Sequence, residues 1–343
     1  MGMDWISEYI KNSFSIGKSE SIGLFSPSHN FDLGGWSPTE PGRGNHLNQQ
    51  LDGAASISDN LAWIRRLDYK AGSTLTMDAQ ILALDFDGVI CDSAGECLFT
   101  SYSYYAPIAG LAPAPHLDEI PESLRKKFYR IRPFIRDGKD YMLILYFITK
   151  GIPIKIQEDF DQRSRDHLDR VCQEVGAADS KELEELFQGK RRDIRARNET
   201  TWLGLNPLYP ELEEGLLACQ DRFDQIYVTT SKPTDAVVEI LSHHRIPLPE
   251  NHIYGYDKVQ KDRGKNGHLK TVHELTGAPF EEIHLVDDQV SHLKAARQLG
   301  ANSYHASWGY TTVQQQEEAE ADGITRLNQE TMAGWMAQLL REP

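Results

Sequence analysis

The chain has few cysteines and no long hydrophobic run, and both shortages limit what it can be. Its four cysteines, at positions 91, 97, 172 and 219, form no CxxC pair and lack the spacing of a metal site. We expect buried, reduced thiols in an intracellular, cytoplasmic protein. The longest apolar run, Tyr141 to Ile148, is far shorter than the ~20 residues that cross a bilayer, so no membrane span is predicted.

Positive charge is also scarce. The 343 residues carry 36 Lys and Arg against 51 Asp and Glu, a formal net charge of −15. Nucleic acids are bound by dense basic patches, so this balance argues against a nucleic-acid or anionic-membrane partner. The first residues include Asp4, Glu8 and Glu20, which do not fit a secretion signal or an Arg-rich organelle peptide.

Residues 1–77 differ from the rest of the chain in composition. Ser, Gly, Pro and Asn are frequent between Ser15 and Ser58, where apolar residues follow no regular period, so this segment is predicted to lack a core of its own. Two patches, 5–10 and 57–67, have the apolar spacing of short helices. We expect them to dock on the main body or, alternatively, on a partner or a membrane surface.

From residue 78 the pattern is that of an α/β protein. Short apolar runs predict five strands, at 81–84, 225–229, 252–254, 282–286 and 303–305. Helical segments such as 234–245 and 291–299 separate them, and residues 332–340 predict a final helix that faces the core. The interval 94–210 contains helical patterns only, at 121–131, 138–150, 158–174 and 181–198.

These patterns predict a Rossmann-like parallel sheet with an inserted all-helical cap. The expected division is an extension over 1–77, an α/β core made of 78–93 and 211–343, and the cap over 94–210. Because the insertion follows the first strand, we expect it to close over the carboxyl ends of the strands and to exclude water there.

Two carboxylates follow the first predicted strand, in the run Asp85-Phe86-Asp87-Gly88. Ligands of open α/β sheets bind at the carboxyl ends of the strands, and Gly88 allows the backbone to turn there and approach a ligand. Residues two apart at a strand end can face one crevice. The spacing therefore indicates phosphoryl transfer, in which Asp85 attacks phosphorus and Asp87 handles the proton; a cap or turn role is the alternative interpretation.

Further pieces follow in chain order: Val228-Thr229-Thr230-Ser231-Lys232-Pro233, a lysine near position 265, and Leu285-Val286-Asp287-Asp288. With the Asp85 run, they make residues 81–310 resemble the haloacid dehalogenase (HAD) superfamily. The resemblance implies an aspartyl phosphate on Asp85 with Asp87 as general acid and base. It also implies Mg²⁺ held by Asp85, Asp87 and the Asp287-Asp288 pair, with Asp288 as the direct ligand of that pair.

The resemblance extends to the residues that would hold phosphate. It implies that Thr230, with Thr229 as the rival, holds phosphate oxygens beside Gly88 and Ser231. It also implies a lysine that bridges nucleophile and phosphate. Four lysines compete for this role, and Lys265 is favoured because it precedes a predicted helix at the right distance; the others are Lys258, Lys261 and Lys270.

Basic residues of the predicted cap have two interpretations. Arg132 and Arg136, which lie just before the helix at 138, are candidates to bind a substrate carboxylate or second phosphate. A solvated face is the alternative, and it is the expectation for Lys190-Arg191-Arg192. The histidines, His292 among them, show no metal spacing and are expected on the surface or satisfied in the core.

The sequence thus predicts a Mg²⁺-dependent phosphatase for a small phosphate monoester. Thr-Ser-Lys-Pro and the turn at Trp308-Gly309-Tyr310 resemble the phosphoglycolate phosphatase-like branch of the superfamily. The acidic residue at position 87 points to phosphate esters, because branches that cleave carbon–halogen bonds usually lack it. Two alternatives stay open: a phosphomutase of the same fold, and a binding or scaffold protein that docks partners through residues 1–77.

Overall fold

The computed structural model describes residues 79–258 and 264–341. The helices predicted at 5–10 and 57–67, and every other expectation for residues 1–77, lie outside these ranges. Within them, each helix is too short or too polar to cross a membrane. The four cysteines are buried and unpaired, as expected.

The core is a parallel sheet of six strands. They are β1 (Ile81–Leu84), β2 (Ile226–Thr229), β3 (Ile253–Tyr254), β4 (Ile283–Asp287), β5 (Asn302–Ala306) and β6 (Thr325–Leu327). Their order across the sheet is β3-β2-β1-β4-β5-β6, and neighbouring strands run parallel. All four residues of β1 are fully buried, as expected for an aliphatic strand at the centre of a covered parallel sheet. The prediction of a Rossmann-like α/β core is confirmed.

The sixth strand was missed by the sequence analysis. Two of the three residues of β6 are exposed, so no apolar run marks it. It pairs with β5 at the edge of the sheet.

Between β1 and β2 the chain is helical, as predicted. The helices are α1 (Ala94–Tyr105), α2 (Glu122–Ile131), α3 (Gly138–Lys150), α4 (Gln157–Val175), α5 (Ser180–Arg197) and α6 (Glu199–Gly204). The first five build an apolar cluster of their own, in which α3 packs against α1, α2, α4 and α5, while Trp202 and Leu203 of α6 join the cluster on the sheet. We call residues 94–204 the helical insertion.

Local signals set the bounds of α3, which match the prediction. The Asp140 carboxylate accepts a hydrogen bond from the Asp137 backbone N–H, which otherwise has no partner at a helix start. At the other end, Gly151 adopts a left-handed φ of 68° and terminates the helix.

Six further helices cover the sheet: α7 (Pro210–Ala218), α8 (Thr234–His243), α9 (Lys265–Thr276), α10 (Val290–Gln298), α11 (Val313–Ala321) and α12 (Met332–Leu339). One face of β1, carrying Leu82 and Leu84, shares a cluster with α7, α8 and α12. The opposite face, carrying Ile81 and Ala83, shares one with α9, α10 and α11. The sheet is therefore covered on both faces, and ligands reach it at the ends of its strands.

The close packing of α3 on α5 gives a stability prediction. A methyl group added at Gly138 would lie 2.8 Å from Cδ1 of the buried Phe187 and 3.0 Å from Nε2 of Gln188. We expect Gly138→Ala to lower the free energy of unfolding by about 1–3 kcal/mol. Gly189→Ala, in α5, adds a methyl whose nearest neighbour is 3.8 Å away, and we expect it to raise that free energy by up to ~1 kcal/mol. Urea unfolding measures the free energy of unfolding of both variants. Equal changes in the two would contradict the close packing at Gly138.

Candidate active site

The predicted site residues meet at the carboxyl edge of the sheet. The strand order changes direction between β1 and β4, which is where ligands bind in open α/β sheets. The Asp85 backbone N–H donates to the Val286 carbonyl at 2.9 Å, which brings the end of β1 against the end of β4. A cavity lies above this edge. Its core side is lined by Asp85, Asp87, Ser231, Lys232, Asp288, Gln289 and His292, and its insertion side includes Arg132, Arg136, Tyr141, Phe187 and Arg191.

Lys265 lies beside the proposed nucleophile. Its buried Nζ is 3.1 Å from Asp85 Oδ1 and 2.9 Å from Asp287 Oδ2, and it donates to the Thr229 carbonyl at 2.6 Å. The other candidate lysines are placed differently. Lys258 pairs with Glu250, Lys270 is exposed, and Lys261 lies outside the described residues.

The two carboxylates around Lys265 differ in proton affinity. Burial raises the pKa of Asp85 to about 6, against the opposing charge of Lys265. Burial also disfavours the charged form of Asp287, but Lys265 and then His292 lower its pKa below the ordinary value. Asp287 is therefore held as a carboxylate, while Asp85 titrates closer to neutrality.

Asp288 packs against the glycine that follows Asp87. Its Oδ2 accepts a hydrogen bond from the Tyr310 backbone N–H at 2.7 Å. Gly88 has a φ of 91°, and a Cβ there would overlap the Asp288 carboxylate. Glycine is thus required twice, for its backbone conformation and for this close approach. Burial, followed by the charges of Asp287 and Asp85, raises the pKa of Asp288 well above its usual range.

The donor set at this edge fits a divalent cation. Ligand atoms of Asp85, Asp287 and His292 all lie within 4.8 Å of one another, and the carboxylate of Asp288 is buried next to them. The Lys265 ammonium contacts two of these three acidic side chains, Asp85 and Asp287. Mg²⁺ prefers hard oxygen ligands and supplies the positive charge that the group lacks. The sequence analysis overlooked His292, whose Nδ1 is 3.1 Å from Asp287 Oδ2.

A second set of charges surrounds Asp87. Lys232 Nζ lies 3.0 Å from Asp87 Oδ1 and 3.5 Å from Glu96 Oε2. Arg191 donates two hydrogen bonds to the Glu96 carboxylate, from Nε at 2.9 Å and from Nη2 at 2.8 Å. We call these four residues the Lys232 network. It joins the sheet edge to α1 and α5 of the helical insertion.

The Lys232 network is buried, which sets the charge state of its members. The side chains of Lys232 and Glu96 are fully buried. Burial opposes the ionisation of Asp87, but Lys232 lowers the pKa of Asp87 below its ordinary value. The expectation that Arg191 faces solvent is wrong: the residue is 4% exposed, because the buried Glu96 carboxylate requires its two-pronged guanidinium.

Two predicted phosphate-binding residues, Thr230 and Ser231, follow β2 but differ in their exposure. Ser231 is exposed and lines the cavity. Thr230 is 1% exposed, and its Oγ1 accepts a hydrogen bond from the Lys232 backbone N–H at 3.1 Å. Thr230 thus shapes the turn that places Lys232, while Ser231 borders the ligand space.

The two candidate arginines of the insertion also differ. Arg136 forms a two-pronged pair with Asp161, at 2.9 and 3.2 Å, and its side chain is 41% exposed. Arg132 is buried, with its guanidinium carbon 3.8 Å from the centre of the Tyr310 ring and 5.4 Å from that of Tyr141. Both border the cavity.

Comparison with known proteins identifies the fold. No protein-family model and no curated protein matches the chain. A candidate phosphoglycolate phosphatase from Lactobacillus delbrueckii subsp. bulgaricus aligns with a TM-score of 0.51 and 13% identity, over 77% of this chain and 100% of that one. The described chain shares the α/β fold of this structure.

Other solved structures align with the chain at lower TM-scores. A predicted phosphoglycolate phosphatase from Haemophilus somnus has a TM-score of 0.46 and 16% identity, over 69% of this chain and 88% of that one. A haloacid dehalogenase-like family hydrolase from Streptococcus pneumoniae has a TM-score of 0.46 and 14% identity, over 76% and 100%.

The burial of Lys232 gives a second stability prediction. Lys232→Met removes the ammonium between Asp87 and Glu96, and breaking a buried ion pair on one side destabilises by about 3–5 kcal/mol. Lys258→Met removes a lysine from a surface pair with Glu250, where the loss is ~1 kcal/mol or less. Urea unfolding at neutral pH measures both variants. Comparable losses would show that Lys232 holds no buried ion pair.

Proposed function

We propose that this protein is a Mg²⁺-dependent phosphatase that hydrolyses a small phosphate monoester through an aspartyl phosphate on Asp85. One observation carries the proposal. Asp85 ends the central strand with Lys265 3.1 Å from its carboxylate and with Asp287 and Asp288 buried beside it. The Lactobacillus protein of similar fold is itself a candidate phosphatase, which supports this class of reaction.

Asp85 is oriented for attack by two contacts. Its Oδ1 accepts a hydrogen bond from the Phe86 backbone N–H at 2.8 Å and faces the Lys265 ammonium. The side chain is thus fixed before substrate arrives, which lowers the entropic part of the barrier. Lys265 is also placed to offset the negative charge of a bound phosphate.

Asp87 is proposed to transfer the proton in both half-reactions. Lys232 lowers the pKa of Asp87, so the free protein holds a carboxylate suited to deprotonating water in the hydrolysis of the aspartyl phosphate. The negative charge of a bound phosphate ester acts in the opposite direction and favours protonated Asp87. That form donates to the leaving oxygen in the first step.

Asp85 and Asp288 are proposed to ligate Mg²⁺, together with Asp87 as the resemblance implies. Asp287 already contacts Lys265 and His292, which suits an outer position that orients the ligands. When bound, the ion supplies positive charge that neutralises the phosphate oxygens.

The helical insertion is proposed to act as the lid over this chemistry. The Pro133 carbonyl accepts hydrogen bonds from Nε2 of Gln289 at 3.5 Å and from Nε2 of Gln315 at 3.4 Å. These bonds join the insertion to the core beside the cavity. A closed lid excludes water that would compete with substrate at Asp85.

The nucleophile is tested by Asp85→Asn. We expect hydrolysis of p-nitrophenyl phosphate with Mg²⁺ to fall by at least about 1,000-fold, because the amide does not form the acyl phosphate. The thermal unfolding midpoint should stay close to the wild-type value. Asp221→Asn, a change at a side chain that is 79% exposed, is the matched control and should keep full activity. Retained activity in the Asp85 variant would refute the mechanism.

The metal site is tested by Asp288→Asn and by chelation. EDTA should abolish hydrolysis and added Mg²⁺ should restore it, because the carboxylate cluster needs the ion's charge. We expect Asp288→Asn to raise the Mg²⁺ concentration for half-maximal activity by at least about 10-fold, as loss of one hard ligand weakens the site. An unchanged Mg²⁺ requirement would place the ion elsewhere.

A further inference from the structure

The side chain of Asp87, the general acid and base of the proposed reaction, is held by an ion pair. Lys232 Nζ lies 3.0 Å from Asp87 Oδ1, so the ammonium fixes this oxygen of the carboxylate. An oxygen beside an ammonium does not readily take up a proton, because the two positive charges repel each other. Oδ2 is therefore the oxygen that carries the proton to the leaving group.

This ion pair is weakened during the proposed reaction. In the first step Asp85 forms a bond to phosphorus, and the ester P–O bond breaks with its electron pair going to the leaving oxygen. Asp87 gives its proton to that oxygen. Before this transfer Asp87 is neutral, so the fully buried Lys232 side chain lacks the charge of this partner. A buried ammonium is unfavourable without an anion, and a second one is needed to keep Lys232 in place.

Glu96 is that second anion. Its Oε2 lies 3.5 Å from Lys232 Nζ, and both side chains are fully buried. Thr100 and Arg191 donate to Glu96 Oε1 at 2.8 and 2.9 Å, and Arg191 also donates to Oε2 at 2.8 Å. Burial opposes the ionisation of Glu96, but Arg191 and then Lys232 lower its pKa well below the ordinary value. Glu96 therefore stays charged and fixed while the charge of Asp87 changes.

Glu96 contacts Lys232 from behind, away from the space for substrate. Asp87, Lys232 and Arg191 line the cavity, whereas Glu96 is not part of its lining. A purely structural role explains these charges poorly, because replacing a buried ion pair by well-packed apolar residues often leaves stability unchanged or raises it. Buried charges beside a group that transfers protons are instead typical of catalytic sites.

We propose that Glu96 is a positioning residue of this reaction. It holds the Lys232 ammonium against Asp87 while Asp87 is neutral, so that the proton on Oδ2 stays directed at the leaving oxygen. Arg191 balances the charge of Glu96, and the two cations and two carboxylates of the Lys232 network are neutral together when Asp87 is ionised. The inference rests on the phosphatase function proposed above.

The test compares two esters of similar size that differ in their leaving group. p-Nitrophenyl phosphate releases a stable phenolate, which needs no proton, whereas p-nitrobenzyl phosphate releases an alkoxide, which needs one. kcat/KM covers the steps up to the breaking of the ester bond, so it reports the proton donor and not the later hydrolysis of the aspartyl phosphate. Asp87→Asn is the reference, and its loss of kcat/KM should be at least about 100-fold larger for the nitrobenzyl ester than for the nitrophenyl ester.

Glu96→Gln removes the charge that holds Lys232. We expect kcat/KM for the nitrobenzyl ester to fall by at least about 30-fold, and that for the nitrophenyl ester to change by less than about 5-fold. The double variant Glu96→Gln with Arg191→Gln removes both charges of the pair, so it leaves no unpaired arginine at this position. It should show the same selective loss, and it keeps the test decisive if Glu96→Gln does not fold.

Glu174→Gln is the matched control within the helical insertion. Glu174 pairs with Lys150 at 3.1 Å and accepts a hydrogen bond at 2.7 Å from the hydroxyl of Tyr105, which lies on α1 as Glu96 does. We expect this variant to keep the ratio of kcat/KM for the two esters within about 3-fold of the wild-type ratio.

Selective loss on the nitrobenzyl ester in the Glu96 variants supports the proposal. Two results overturn the role of Glu96 alone while Asp87→Asn still shows its selective loss. They are Glu96 variants that keep the wild-type ratio, and Glu96 variants that lose activity on both esters equally, as a structural role would give. A wild-type protein that hydrolyses neither ester with Mg²⁺, or an Asp87→Asn variant with equal losses, contradicts the proposed function and the role of Glu96 with it.

Discussion

The buried ammonium of Lys232 is the contact on which the arrangement of this site depends. It lies between Asp87 at the sheet edge and Glu96 at the start of the helical insertion. Buried charges are tolerated only when they are paired, and Arg191 completes the set by pairing with Glu96 from α5. The position of the insertion and the charge state of Asp87 are therefore determined together. We expect a shift of the insertion to alter the charge state of Asp87, and the reverse.

The same principle separates side chains of one chemical type. Arg132, Arg136 and Arg191 all border the cavity, yet the first stacks on tyrosines and the others are held by carboxylates. Asp85 and Asp287 share Lys265, but burial dominates in one and the added partner His292 helps to lower the pKa of the other. The role of each of these side chains is therefore set by the group that it contacts and not by its residue type alone.

Local patterns in the sequence predicted five of the six described strands and many of the helices. A buried aliphatic run predicted β1, and the glycine at 151 predicted the end of α3. That the aspartates at the ends of β1 and β4 share one site was implied by the family resemblance. β6 was missed because two of its three residues face solvent. An edge strand of this kind is formed by pairing, which composition does not reveal.

Long-range contacts account for the rest. Glu96 and Arg191 are 95 positions apart, and no local sequence pattern indicates that they pair. His292 has no metal-type spacing because its partners come from two different strand ends. The lysine beside Asp85 was narrowed to four candidates by sequence, and only the packing of α9 on the sheet places Lys265 there.

The bonds between insertion and core are unequal, and this has a consequence for movement. At Pro133 they are two neutral amide contacts near 3.5 Å, each contributing about 1 kcal/mol or less. At Glu96 they are buried charges that resist separation from each other. We therefore expect any separation of the insertion from the core to begin at Pro133 and not at Glu96.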